Sequence, residues 1–167
     1  MVFLDISSFL RYYKNLKNYN NIILTGFMGS GKTFVGEYIS RQLNKKFIDT
    51  DQYIKNKYKK NISKIFELFG EEYFRDIEFR TCKKICNIKN SVISTGGATL
   101  LYKKNLDLFL NKNLIIFLDT PFDVCYKRVL NTDRPLVNRL SKLELLDLYN
   151  SRRQKYLDIS SLKLILS

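Results

Sequence analysis

The residues Gly26-Phe27-Met28-Gly29-Ser30-Gly31-Lys32-Thr33 match the spacing G-x-x-x-x-G-K-[ST] in full. The chemistry of that spacing is anion capture. Small residues at 29, 30 and 31 let the backbone curl until successive N–H groups point into one concavity, and the positive end of a following helix deepens it. A phosphate chain seated there meets Lys32 at its terminal groups, and the Thr33 hydroxyl can ligate Mg2+. Gly29, Ser30, Gly31, Lys32, Thr33 and Phe34 form the expected nucleotide-phosphate set. Asp49-Thr50-Asp51 adds two carboxylates spaced two apart. One suits the water shell of Mg2+ and the other suits taking the proton of an attacking hydroxyl, unless Asp51 simply caps a helix. Phosphate capture alone leaves GTPase, ATPase, nucleotide kinase and small-molecule kinase open, and the short chain favours a small acceptor.

Other residues are less decisive singly. Gly96-Gly97-Ala98 either lets a substrate approach the backbone or makes an ordinary turn. Arg is the scarcer base, and its planar fork suits a carboxylate better than the point charge of Lys. Arg75 and Glu78 fall three apart, a spacing that by itself reads as a surface salt bridge. Arg134-Pro135-Leu136 lies in a polar segment where a lid could swing a cation over phosphates. Arg152 and Arg153 read most plainly as cations favoured near the end of the last helix.

The elements that must hold these residues follow from the apolar pattern. Ile22–Thr25, Lys46–Asp49, Ser91–Ser94, Leu114–Leu118 and Leu162–Leu166 read as strands, three of them apolar almost throughout, as strands covered on both faces are. Between them, Thr33–Leu43, Ser63–Phe69, Glu72–Ile88 and Leu143–Leu157 have helical spacing. Ser63 is the expected cap of the second, Gly70 its stop, and Thr120-Pro121 a capped opening for a further helix. Alternation of strand and helix demands parallel pairing with right-handed crossovers. The expected fold is a three-layer α/β/α domain with a five-stranded parallel sheet over residues 21–167, preceded by an extension at 1–20 with one helix through Ser8–Lys17.

Composition narrows the class. The 167 residues suit one domain, with 29 Lys and Arg against 16 Asp and Glu for a net charge of +13. That excess suits an anionic partner or a lysine-rich solvated surface such as Lys55–Lys60, and no aromatic RNA-binding motif accompanies it. With no His, catalysis by a Ser–His or Cys–His pair is excluded. Cys82, Cys86 and Cys125 lack the spacing of a zinc site and suit a reducing compartment. No apolar run approaches the ~20 residues of a membrane span, and the N-terminus does not read as a secretory signal. The expectation is a cytoplasmic monomer with neither a nucleic-acid nor a membrane partner.

In this order and spacing, Gly26–Thr33, Asp49-Thr50-Asp51, Phe74-Arg75-Asp76-Ile77-Glu78, Gly96-Gly97, Arg134-Pro135-Leu136 and Arg152 four residues before Tyr156 resemble the shikimate kinases, within the nucleoside-monophosphate-kinase-like P-loop family. The resemblance runs from about Asn21 to Ser167. It implies transfer of the γ-phosphate of ATP to the 3-hydroxyl of shikimate, in aromatic amino-acid biosynthesis. By that likeness Asp51 would hold the reacting hydroxyl and act as its base, Arg75 and Arg152 would grip the carboxylate, and Gly96 and Gly97 would line the ring. Lys32 and Arg134 would offset charge on the transferring group, and Thr33 and Asp49 would serve Mg2+. Arg128, or Lys127 if the alignment shifts by one, would pack on adenine, with Pro135 in a closing lid. The family usually has a third glycine where this chain has Ala98, and continues past its fifth strand where this sequence stops at Ser167; the helix in the extension is expected to cover surface there. Two rivals remain: a kinase for another small acid such as gluconate or for a nucleotide, and a catalytically silent binding protein.

Overall fold

The computed structural model describes residues 2–13 and 19–165, with side chains from residue 5 onward. The end of the expected helix Ser8–Lys17 and position 166 of the last expected strand lie outside the described residues. All five anticipated strands are present in one sheet: β2 (Asn21–Thr25), β3 (Lys46–Asp49), β4 (Ser91–Ser94), β5 (Asn113–Asp119) and β6 (Leu162–Ile165). The extension supplies a sixth, β1 (Val2–Leu4), at the outer edge. The order is β1-β6-β5-β2-β4-β3, and every pairing is parallel.

Strands β2, β4 and β5 are buried along their whole length, as their unbroken apolar runs demand. The period of two decides which layer each residue joins. Ile22 and Leu24 face the layer of α1 (Ile6–Tyr13) and α2 (Lys32–Gln42), packing with Phe9, Val35 and Ile39. Ile23 faces the opposite layer, where it meets Cys82 and Ile85 of α4 (Ile62–Ile85). Phe9 is fully buried, so the extension is seated in the main core.

The remaining helices are α3 (Thr50–Tyr58), α5 (Lys103–Leu106), α6 (Phe122–Val129), α7 (Pro135–Arg139) and α8 (Lys142–Ile159). Segment 50–58 gave no helical signal because Lys55, Lys57 and their polar neighbours leave only Thr50 and Ile54 to bury. Two expected caps are corrected. Asn61, not Ser63, is the N-cap of α4, and Pro121, not Thr120, that of α6. The Thr120 hydroxyl donates instead to the carbonyl of Ser30 at 3.0 Å, bracing the glycine-rich loop. Gly70, with φ 79° and ψ 174°, is non-helical and divides α4 into two helical stretches, so it stops the first of them as expected. Since α8 runs on to Ile159, Arg152 and Arg153 lie inside it and not in its last turn.

Candidate active site

The loop between β2 and α2 is shaped by close packing from below. Gly29 has φ 78°, and a Cβ there would stand 2.5 Å from the carbonyl oxygen of Cys125 on α6, so no other residue fits. Lys32 folds back into the loop, donating to the carbonyls of Gly26 and Phe27 at 2.8 Å each. Burial lowers its pKa to about 8, with Asp51 opposing that shift and Arg134 adding to it. The Arg128 guanidinium donates to Gly29 O at 3.2 Å, which puts it, rather than Lys127, against the loop. The Phe34 ring is 76% exposed, so what residue 34 can offer a phosphate is its backbone N–H at the start of α2.

Asp49 and Asp51 do different things. Asp49 caps α3: one oxygen accepts from Gln52 N at 3.0 Å and the other from the Thr33 hydroxyl at 2.8 Å. Asp51, in the first turn of α3, accepts no side-chain hydrogen bond among the described residues and does not cap the helix. Burial pushes its pKa up to about 6, helped by repulsion from Asp49 and Glu78 and restrained by Lys32 and Arg134.

A cavity of about 400 Å³ opens beside Asp51. Its lining includes Asp51, Arg75, Gly96, Gly97, Arg134 and Arg152, all expected acceptor or transfer residues. A neighbouring cleft is lined by Thr33 and Asp49 and shares Asp51 and Arg134 with the cavity. These two side chains therefore stand on the boundary between the larger cavity and the cleft lined by Thr33 and Asp49.

The walls explain why these residues converge. Arg75 and Glu78 are no surface pair: the side chains are 15% and 3% exposed, with Nη1 donating to Glu78 Oε2 at 3.0 Å. The other Glu78 oxygen accepts from the Thr99 hydroxyl at 2.6 Å, so a second buried acid fixes the guanidinium. A Cβ on Gly96 would come within 2.7 Å of Asp51 Oδ1 and 2.8 Å of Thr99 Oγ1, so Gly96 leaves the room Asp51 occupies. A Cβ on Gly97 would meet nothing closer than 3.5 Å, and Ala98 lines the cavity without closing it. Tyr156, buried on α8, donates from its hydroxyl to Gly97 O and packs on Phe117, locking the helix that carries Arg152 to the glycine turn.

Sequence reasoning missed Glu78 as a buried anchor and overlooked Lys55 and Arg139, which also line the cavity. The spacing of Arg75 and Glu78 was visible; their burial depends on Thr99 and Gly96, far away in sequence.

As a divalent-cation site, the Thr33 hydroxyl and Asp49 carboxylate offer hard oxygen donors beside the phosphate loop, which fits Mg2+. Among the described residues no group of three His, Cys, Asp or Glu gathers around a metal position, so a cation at Thr33 and Asp49 would take further ligands from the nucleotide and water.

A sequence model of the shikimate kinase family matches residues 28–165. The chain belongs to the shikimate kinase family. The shikimate kinase of Staphylococcus aureus (strain MSSA476) is 42% identical over 141 residues, covering 83% of this chain and 80% of that protein. Among solved structures, the shikimate kinase from Acinetobacter baumannii in complex with shikimate superposes with a TM-score of 0.84 at 29% identity, over 92% of this chain and 87% of that one. The shikimate kinase from Aquifex aeolicus has a TM-score of 0.72 at 36% identity, over 86% and 84% of the two chains. Shikimate kinases are phosphotransferases using ATP, so the phosphate loop and acceptor cavity have a reaction to serve.

Proposed function

We propose that this chain phosphorylates the 3-hydroxyl of shikimate with ATP, the nucleotide on the 26–33 loop and the acid in the cavity beside Asp51. The observation that carries the assignment is the convergence of Asp51, Arg75, Gly96, Gly97, Arg134 and Arg152 on one cavity that shares Asp51 and Arg134 with the Thr33–Asp49 cleft.

Arg75 and Arg152 hold the carboxylate by their planar forks, with Arg75 pre-oriented by Glu78 and Glu71. Gly96 and Gly97 line the ring. Asp51 accepts the hydrogen bond of the reacting hydroxyl and takes its proton as the phosphoryl group transfers. A pKa of about 6 suits that task, since the carboxylate is ionised at neutral pH yet more basic than a free Asp. Lys32 leaves its carbonyl partners for the terminal phosphates, and Arg134 neutralises charge from the lid side. Thr33 and Asp49 hold Mg2+ directly or through water; the ion would neutralise charge on the β- and γ-phosphates. Arg128 packs on adenine. Catalysis is alignment plus electrostatics. The reading extends to a cytoplasmic monomer, and no helix among the described residues is long and apolar enough to cross a membrane.

The test is ADP release measured with Mg2+ and ATP, with and without shikimate. Release should depend on shikimate and fall at least about a thousand-fold in Lys32→Ala. Equal release without shikimate, or a preference for gluconate, would overturn the acceptor assignment.

A further inference from the structure

Arg134 can act on a phosphoryl group only while its segment is held over the cleft, yet α7 buries no residue of its own. The segment rests partly on Leu136, Val137 and Leu140, which pack against the cluster around Phe27, Met28 and Tyr149. Its polar fastening is Asp133, immediately before Arg134. Asn138 Nδ2 donates to Asp133 Oδ1 at 3.3 Å, a bond inside the segment that fixes its first turn. The Ser63 hydroxyl donates to Asp133 Oδ2. Ser63 lies in the first turn of α4, in the stretch before Gly70, while Arg75 and Glu78 lie in the stretch after it. Among the described residues this is the one side-chain hydrogen bond between α4 and the 131–140 segment, and it borders a cleft lined on both sides by basic and polar groups, Lys64 and Arg139 among them.

We infer that Asp133 is a positioning residue for Arg134: its hydrogen bond from Ser63 fastens the segment to the first stretch of α4, whose Ile62 and Phe66 line the acceptor cavity, so that the phosphoryl-side cation is held to the cavity wall. The inference rests on the reading of Arg134 as the cation of the transferring group. The bond is charge-assisted, but it is exposed, so its loss weakens the held arrangement modestly.

The test is steady-state kinetics on the full chain with ATP and shikimate for Ser63→Ala, Asp133→Ala, the double variant, Ser63→Thr and Arg134→Ala. Ser63→Ala should lower kcat about three- to five-fold, Asp133→Ala at least as much because it also loses the bond from Asn138, and the double no further than Asp133→Ala, because the Ser63 bond is already gone there. KM for shikimate should move less than about two-fold, since Arg75 and Arg152 keep their contacts. Ser63→Thr, which keeps the hydroxyl, should recover at least half of the loss. Melting temperatures should agree within about a degree, as expected for exposed positions. A parental kcat in both singles, with Arg134→Ala crippled at least about a hundred-fold, overturns the inference and leaves the role of Arg134 standing. Independent losses that multiply in the double also overturn it. If Arg134→Ala itself keeps full turnover, the reading of Arg134 fails and the inference falls with it.

Discussion

Two aspartates sit at the carboxyl ends of parallel strands in this protein and have opposite surroundings. Asp119, closing β5, is saturated: Arg153 donates Nε and Nη2 at 2.8 and 2.6 Å, and Lys163 donates Nζ at 2.9 Å. Burial alone would raise its pKa, but the hydrogen bonds from Arg153 and Lys163 outweigh that and hold it below the usual carboxylate range. Asp51, just past β3, is half-buried beside Asp49 and Glu78, with no hydrogen-bond donor to its side chain among the described residues, and its pKa goes the other way. One carboxylate is matched and ties three elements together; the other is left hungry for a proton. On the proposed function, the difference separates holding from reacting, within one sheet.

The sign of each shift makes the contrast measurable. A carboxylate with a raised folded pKa costs stability as pH rises from its unfolded value near 4 through about 6, while one with a lowered pKa contributes stability that is lost as pH falls through that lowered value. The largest break should come from Asp51→Asn: turnover in the ADP assay down about a thousand-fold, with urea unfolding at pH 7 shifted toward greater stability by about 1–3 kcal/mol. Full turnover in that variant would end the case for Asp51 as base. Asp119→Ala should do the reverse, losing about 3 kcal/mol in urea titration because the carboxylate that ties Arg153 and Lys163 to β5 is gone, while KM for shikimate stays put. A loss below about 0.5 kcal/mol would leave the contrast without its structural half. The smallest effect sharpens the mechanism. kcat/KM for ATP should be bell-shaped, with limbs near 6 for Asp51 and near 8 for Lys32 in the free enzyme. Glu78→Gln removes a like charge and should move the acid limb downward; an upward shift would show that Glu78 acts on Asp51 some other way.

How much of this was readable in the residues depended on distance along the chain. The phosphate loop is eight consecutive residues between a buried strand and a helix, so its identity and place could both be read. The arginines and glycines of the acceptor cavity were recognisable as a set, but their convergence rests on parallel register, for example Ile48 beside Ile93, which brings Asp49 level with Ser94. Local cap rules failed where a longer-range partner competed: Ser63 went to Asp133 and Thr120 to Ser30. Arg153 looked like a dipole charge because Asp119 lies 34 residues away. The strand Val2–Leu4 was too short for any periodicity to announce.

That edge strand has a consequence for how the molecule folds. Among the described residues β1 pairs with β6 alone, and the register sets Val2 beside Leu162, so this edge closes the longest loop in the sheet. Phe9 and Tyr13 share a cluster with Leu162 and Leu164 as well as with Ile22 and Ile39, so part of their cover depends on that distant pairing. Pulse-labelled refolding should accordingly protect the amides of Ile22–Leu24 before those of Phe3 and Leu4, and simultaneous protection would mean that the two ends of the chain find each other at the outset.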